Sequence, residues 1–89
     1  MLRVELDGRK MDTRAIAHQH LKEQLGLPAY YGANLDALND CLGEMADVHI
    51  TLRYGNALRN ALGVYGQKLI QVFEDVARGR ADLVFVLMD

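Results

Sequence analysis

The chain has 89 residues, 51% of them hydrophobic and 25% charged, with a formal net charge of −2 and one cysteine. That size and balance suit one small soluble domain over residues 1–89 and exclude a disordered chain; a lone cysteine excludes an internal disulfide and suits a reducing, cytoplasmic compartment. No apolar run approaches the roughly eighteen residues of a membrane span, and MLRVELDG lacks the apolar core and cleavage site of a signal peptide.

Leu2, Val4 and Leu6 alternate with Arg3, Glu5 and Asp7, which predicts a strand with one covered face. Asp7-Gly8 marks a turn. Thr13, or Asp12, caps the next helix, which turns Ala17, Leu21 and Leu25 inward, carries His18 and His20, and stops at Gly26 ahead of Pro28. From Pro28 to Asp47 the chain passes a tyrosine pair, Gly32 and the N-cap candidate Asn34 into a second helix. There Leu35, Leu38, Leu42 and Met45 form an apolar stripe, and Asp36, Asp40 and Glu44 repeat every four residues on another side.

Val48, Ile50, Leu52 and Tyr54 alternate with His49, Thr51 and Arg53 as a second strand. Gly55-Asn56 breaks into a short helix with Leu58 and Leu62, ended near Gly63. A longer helix carries Tyr65, Leu69, Val72, Phe73 and Val76 and stops at Gly79. Leu83 to Met88 is a continuous apolar run, which predicts a third strand more shielded than the other two. The order β-α-α-β-α-α-β implies an α/β fold: a three-stranded parallel sheet with right-handed crossovers and helices mainly on one face.

Charge is distributed unevenly. All ten Lys and Arg lie at or before Lys22, or at or after Arg53. Between Glu23 and Thr51 there are five acids (Glu23, Asp36, Asp40, Glu44 and Asp47) and no base. Such a window repels a phosphate backbone and attracts a cationic partner. A solvated helix face is the plain explanation of the four-spaced acids. Against it, exposed helices commonly mix signs to gain pairs four apart, and like charges at that spacing repel. Tyr30-Tyr31 at the loop-to-helix junction has the make-up of a binding surface, with one ring expected to be buried and the other exposed.

Other chemistry finds little support. His18 and His20 point about 200° apart on a helix and cannot share a metal. They read as surface or half-buried imidazoles. Cys41 lies beside the leucine stripe among acids that raise a thiol pKa, which suits a buried structural cysteine rather than a nucleophile. Asp36 with Asp40, or with Glu74-Asp75, would be solvated and ionised rather than a tuned acid–base pair. No phosphate-binding glycine loop is present. Neither a cofactor nor a metal is expected.

The stretch LGLPAYYGANLDALNDCL resembles the signature of the barstar family, intracellular inhibitors of secreted ribonucleases such as barnase. The family pattern is a proline followed by YYG-x-NLDAL-x-DCL. Here it is met by Pro28, Tyr30, Tyr31, Gly32, Asn34, Leu35, Asp36, Ala37, Leu38, Asp40, Cys41 and Leu42. His18-Gln19, Leu21-Lys22 and Gln71-Val72-Phe73 extend the likeness, and length and element order agree throughout.

The resemblance implies an inhibitor rather than an enzyme, cytoplasmic and monomeric when free, acting as immunity against a secreted basic ribonuclease and binding neither nucleic acid nor membrane. It implies that Asp40 occupies the pocket for the substrate phosphate, with Asp36 as a second charged contact. Tyr30 would pack on the enzyme's catalytic histidine, Gly32 and Asn34 would lie in the contact loop, and Asp75 would face the enzyme from the last helix. Asn39 and Met45 stand where the family has tryptophans, and Gly43-Glu44 replaces a Thr-Gly pair. These departures point to a cognate ribonuclease other than barnase. The alternative is an interaction module of the same fold for some other basic protein, without ribonuclease inhibition.

Overall fold

The computed structural model describes residues 1–89. Strand β1 (Leu2–Asp7) pairs in parallel with β2 (Val48–Arg53), which pairs in parallel with β3 (Leu83–Leu87), so the strand order is β1-β2-β3. Helices α1 (Arg14–Leu25) and α2 (Leu35–Glu44) fill the first crossover, and α3 (Gly55–Leu62) and α4 (Val64–Ala77) fill the second. A short 3-10 turn, Gly8–Lys10, follows β1. Both crossovers step the same way along the sheet, and right-handed crossovers of that kind place their helices on the same face.

The strands divide accordingly. Val4, Leu6, Val48, Ile50, Leu52 and Leu83 are buried towards the helices, whereas Arg3 and Glu5 on the opposite face are exposed. Arg53 pairs with Glu5 at 3.2 Å on that open face. One cluster of 17 buried residues joins the sheet to all four helices, with Leu21, Leu38, Leu58, Leu69, Ile70 and Phe73 wholly inaccessible. A fully buried side chain of that size contributes roughly 1.5–3 kcal/mol.

Local chemistry sets the helix limits. Thr13 Oγ1 accepts from Ile16 N at 3.1 Å, which starts α1. Gly26, at φ 65°, ends it by donating its N–H to Lys22 O. The strand expected to reach Tyr54 ends one residue earlier. Tyr54 turns into the left-handed region at φ 59° and leads α3. Its carbonyl abuts Gly8, where a Cβ would lie 2.1 Å from Tyr54 O.

The expectation for β3 holds against β1 but fails against β2. It is an edge strand: Val86 is exposed and Val84 half-buried, while the central β2 is the most shielded. Leu83 is buried and Phe85 stacks on Phe73 with centroids 5.0 Å apart, so the helix face of β3 is covered and its other face is not. An apolar run reports hydrophobicity; it does not report how many neighbours a strand has.

Candidate functional site

Helix α2 is held by Leu38 and Leu42, both wholly buried, with Leu35 and Met45 half-buried at the ends of the same stripe. It packs against α4. Asn34 caps it, with Oδ1 accepting from Ala37 N at 2.7 Å and Nδ2 donating to Gly32 O at 3.3 Å. The cap therefore also braces the preceding loop. Asp36 in the first turn meets the positive end of the helix dipole. Asp36, Asn39, Asp40, Gly43 and Glu44 are all exposed, as is Asp47 just beyond. No side chain pairs with any of these four carboxylates. Nothing lies within 4 Å of where a Cβ on Gly43 would be, so bare helix backbone is presented there.

The tyrosine pair splits as expected: Tyr30 is 86% exposed and Tyr31 9%. Tyr30, Tyr31, Gly32, Ala37, Asp40 and Cys41 line a shallow depression of about 310 Å³ between the loop and α2. It is mostly apolar, with the Asp40 carboxylate as its one charged group, a shape suited to a side chain that is flat or aliphatic and cationic at its tip. Ala33 and Asp47, left-handed at φ 52° and 54°, flank the helix at its two ends. Non-glycine residues hold that conformation only where their surroundings enforce it.

Asp75 is exposed on α4, but it is not free. Gln71 Nε2 donates to it at 2.9 Å, and Arg78 pairs with it at 3.0 Å. A partner would have to compete with those contacts. Cys41 is half-buried on the wall of the depression, not sealed in the core as expected, because it lies at the margin of the Leu38–Leu42 stripe. Burial pushes its thiol up, and Glu44 and Asp40 push it further, so it stays protonated.

His18 departs further from expectation. Rather than lying at the surface or half-buried, it is 2% exposed and bridges two hydroxyls, with Nδ1 2.6 Å from Tyr31 Oη and Nε2 2.6 Å from Tyr65 Oη. A signal was present in the sequence: His18, Leu21 and Leu25 are spaced three and four, along the buried stripe of α1. Burial lowers the His18 pKa and raises that of Tyr31. The loop before α2 is thus tied through Tyr31 to α1 and α4. His20 lies apart, with Nε2 accepting from Asp7 N at 3.0 Å.

The basic-free window of the sequence is not basic-free in space. Arg80, from the turn before β3, reaches the C-terminal end of α2 and donates to Leu42 O and Met45 O. No local pattern announces this contact.

A larger depression of about 370 Å³ lies at the C-terminal ends of β1 and β2 and includes Asp7, Arg9, Lys10, His20 and Arg53. Its arginines are committed, Arg9 to Asp7 and Arg53 to Glu5. The order β1-β2-β3 has no reversal, so the sheet offers no switch-point crevice there. No group of three or more His, Cys, Asp or Glu could hold a metal ion, and no helix is long and apolar enough to cross a membrane.

Comparison with known proteins gives one consistent result. The family profile described as "Barstar (barnase inhibitor)" matches residues 1–88. The provisionally named ribonuclease inhibitor YrdF of Bacillus subtilis (strain 168) is 32% identical over 91 residues, covering 100% of both chains. With a parallel α/β sheet, a capped acidic helix and a whole-length profile match all in agreement, the chain belongs to the barstar family.

Proposed function

We propose that this protein inhibits a secreted, basic, barnase-like ribonuclease from within the cytoplasm, as an immunity protein, by occluding its active site with α2 and the preceding loop. The observation that carries this reading is the row of exposed, unpaired carboxylates on a rigidly capped helix beside the exposed Tyr30. An RNA-cleaving site must bind phosphate and is therefore basic, so a fixed carboxylate row competes for the same groups.

Asp40 is the central contact, because it alone places a charge on the apolar depression. Asp36 and Glu44 extend the row by one turn on either side. Tyr30 supplies aromatic area, Gly32 and Asn34 shape the loop, and Asp75 adds a carboxylate from α4. Asn39, Gly43 and Met45 present small or soft groups in place of large ones, which favours a target whose surface bulges towards α2. Steered association and a dominant aspartate are properties of the family's own type pair, barnase and barstar.

The test is inhibition of a panel of guanyl-specific secreted ribonucleases by the wild-type chain and by Asp40→Ala. The variant should lose more than about 2 kcal/mol of binding. Unchanged inhibition by Asp40→Ala would remove Asp40 from the site. A wild-type chain that inhibits no ribonuclease, yet captures a different basic protein through α2, would replace this reading with that of an interaction module.

A further inference from the structure

Helix α2 lacks a cation at its own C-terminal end. Its last turn holds Glu44 and no basic residue, although unsatisfied carbonyls gather partial negative charge there and favour a positive group. Arg80 supplies that group from the far end of the chain. Its Nη1 donates to Leu42 O at 3.2 Å and its Nη2 to Met45 O, while Nε and Nη2 hold Asp82 at 3.0 and 2.9 Å. Asp82 is itself anchored, because its carbonyl accepts from Val48 N at the start of β2. One guanidinium therefore ties the end of α2 to the central strand. No other side chain hydrogen-bonds to any residue from Asn39 to Asp47. The backbone there leaves α2 extended at Met45 and turns left-handed at Asp47, so it has little regular structure of its own to fix it.

We propose that Arg80 is a positioning residue for the inhibitory surface: its fork fixes the last turn of α2 and thereby the direction in which Asp40 and Glu44 meet a basic partner. This rests on the function proposed above. Charge alone and geometry alone give opposite signs. Removing a cation beside an acidic row makes that surface more negative and speeds encounter with a basic partner. Releasing the last turn means the carboxylates must be ordered during binding, and that cost appears mainly as faster dissociation.

The experiment compares Arg80→Gln and Arg80→Lys with the wild-type chain, each well below its own Tm. Association and dissociation rate constants are measured with a ribonuclease the wild type inhibits. Amide hydrogen exchange of Cys41 to Met45 is measured without it. Arg80→Gln should dissociate about tenfold faster, with association unchanged or faster and exchange in the last turn of α2 accelerated. Arg80→Lys keeps the charge but cannot reproduce the planar fork, so its dissociation should follow Arg80→Gln. Dissociation of Arg80→Gln within about twofold of wild type overturns the proposal. So does faster dissociation with unchanged exchange, which would make Arg80 a direct contact. If the wild type inhibits no ribonuclease, the proposed function has failed by itself, while the exchange measurement still decides whether Arg80 fixes α2.

Discussion

Acidification below about pH 6.5 should destabilise this protein because of His18. The ring is 2% exposed, and both nitrogens are committed to tyrosine hydroxyls at 2.6 Å. A neutral imidazole meets two hydroxyls by donating to one and accepting from the other. Protonation makes both nitrogens donors, so the tyrosine that donates must turn its hydrogen away. No carboxylate pairs with the imidazolium.

Burial accordingly holds the folded His18 pKa below that of an ordinary histidine. The unfolded chain takes up its proton near pH 6.5, about 1.4 kcal/mol per pH unit for each proton the folded state refuses. Stability is therefore full above about pH 6.5 and falls as the pH drops towards the folded value. His20 acts in the same direction, since burial and then Lys10 lower its pKa and its Nε2 must stay unprotonated to accept from Asp7 N. While both rings resist protonation their effects add, so the slope is steeper than His18 alone would give. Urea denaturation at several values between about pH 7.5 and 5.5 measures it, and His20→Gln isolates the His18 share. A midpoint in His20→Gln that does not move across that range would refute the reasoning.

Other outcomes follow from single contacts. Asn34→Ala removes the cap on Ala37 N and should cost about 1 kcal/mol, read as a lower Tm. Leu42→Ala empties a wholly buried site under the acidic row and should cost about 2–5 kcal/mol by urea titration. Gly8→Ala drives a Cβ into Tyr54 O and should cost about 1–3 kcal/mol. Gly43→Ala meets nothing in the free protein and should stabilise it by roughly 0.5–1 kcal/mol. A Tm that rises while inhibition weakens would place Gly43 under the partner.

What could be read from the chain beforehand depended on range. The caps at Thr13 and Asn34, the stop at Gly26 and the Leu38–Leu42 stripe are decided within one helix turn, and all are where the pattern puts them. Tyr30 and Tyr31 divide between solvent and core because adjacent residues at a helix entrance cannot face the same way. Features set by distant residues were hidden. His18 is buried against hydroxyls from the loop and from α4, β3 is less shielded than β2 because it lies at the sheet edge, and Arg80 acts on carbonyls that only the fold brings near. Local periodicity carries no information about those partners.

The parallel register also governs when the acidic helix takes its final form. Leu2 lies beside Val48, and Val48 beside Leu83, so every rung of the sheet joins residues dozens of places apart. Loops of that length must close before any rung forms, which puts such a topology among the slower folders of its size. Helix α2 can form its turns early, from its own cap and stripe. Its last turn gains the Arg80 contacts only in the assembled fold, with the turn before β3 in place. A chain cut before the turn that carries Arg80 would display the carboxylates without the contacts that aim them.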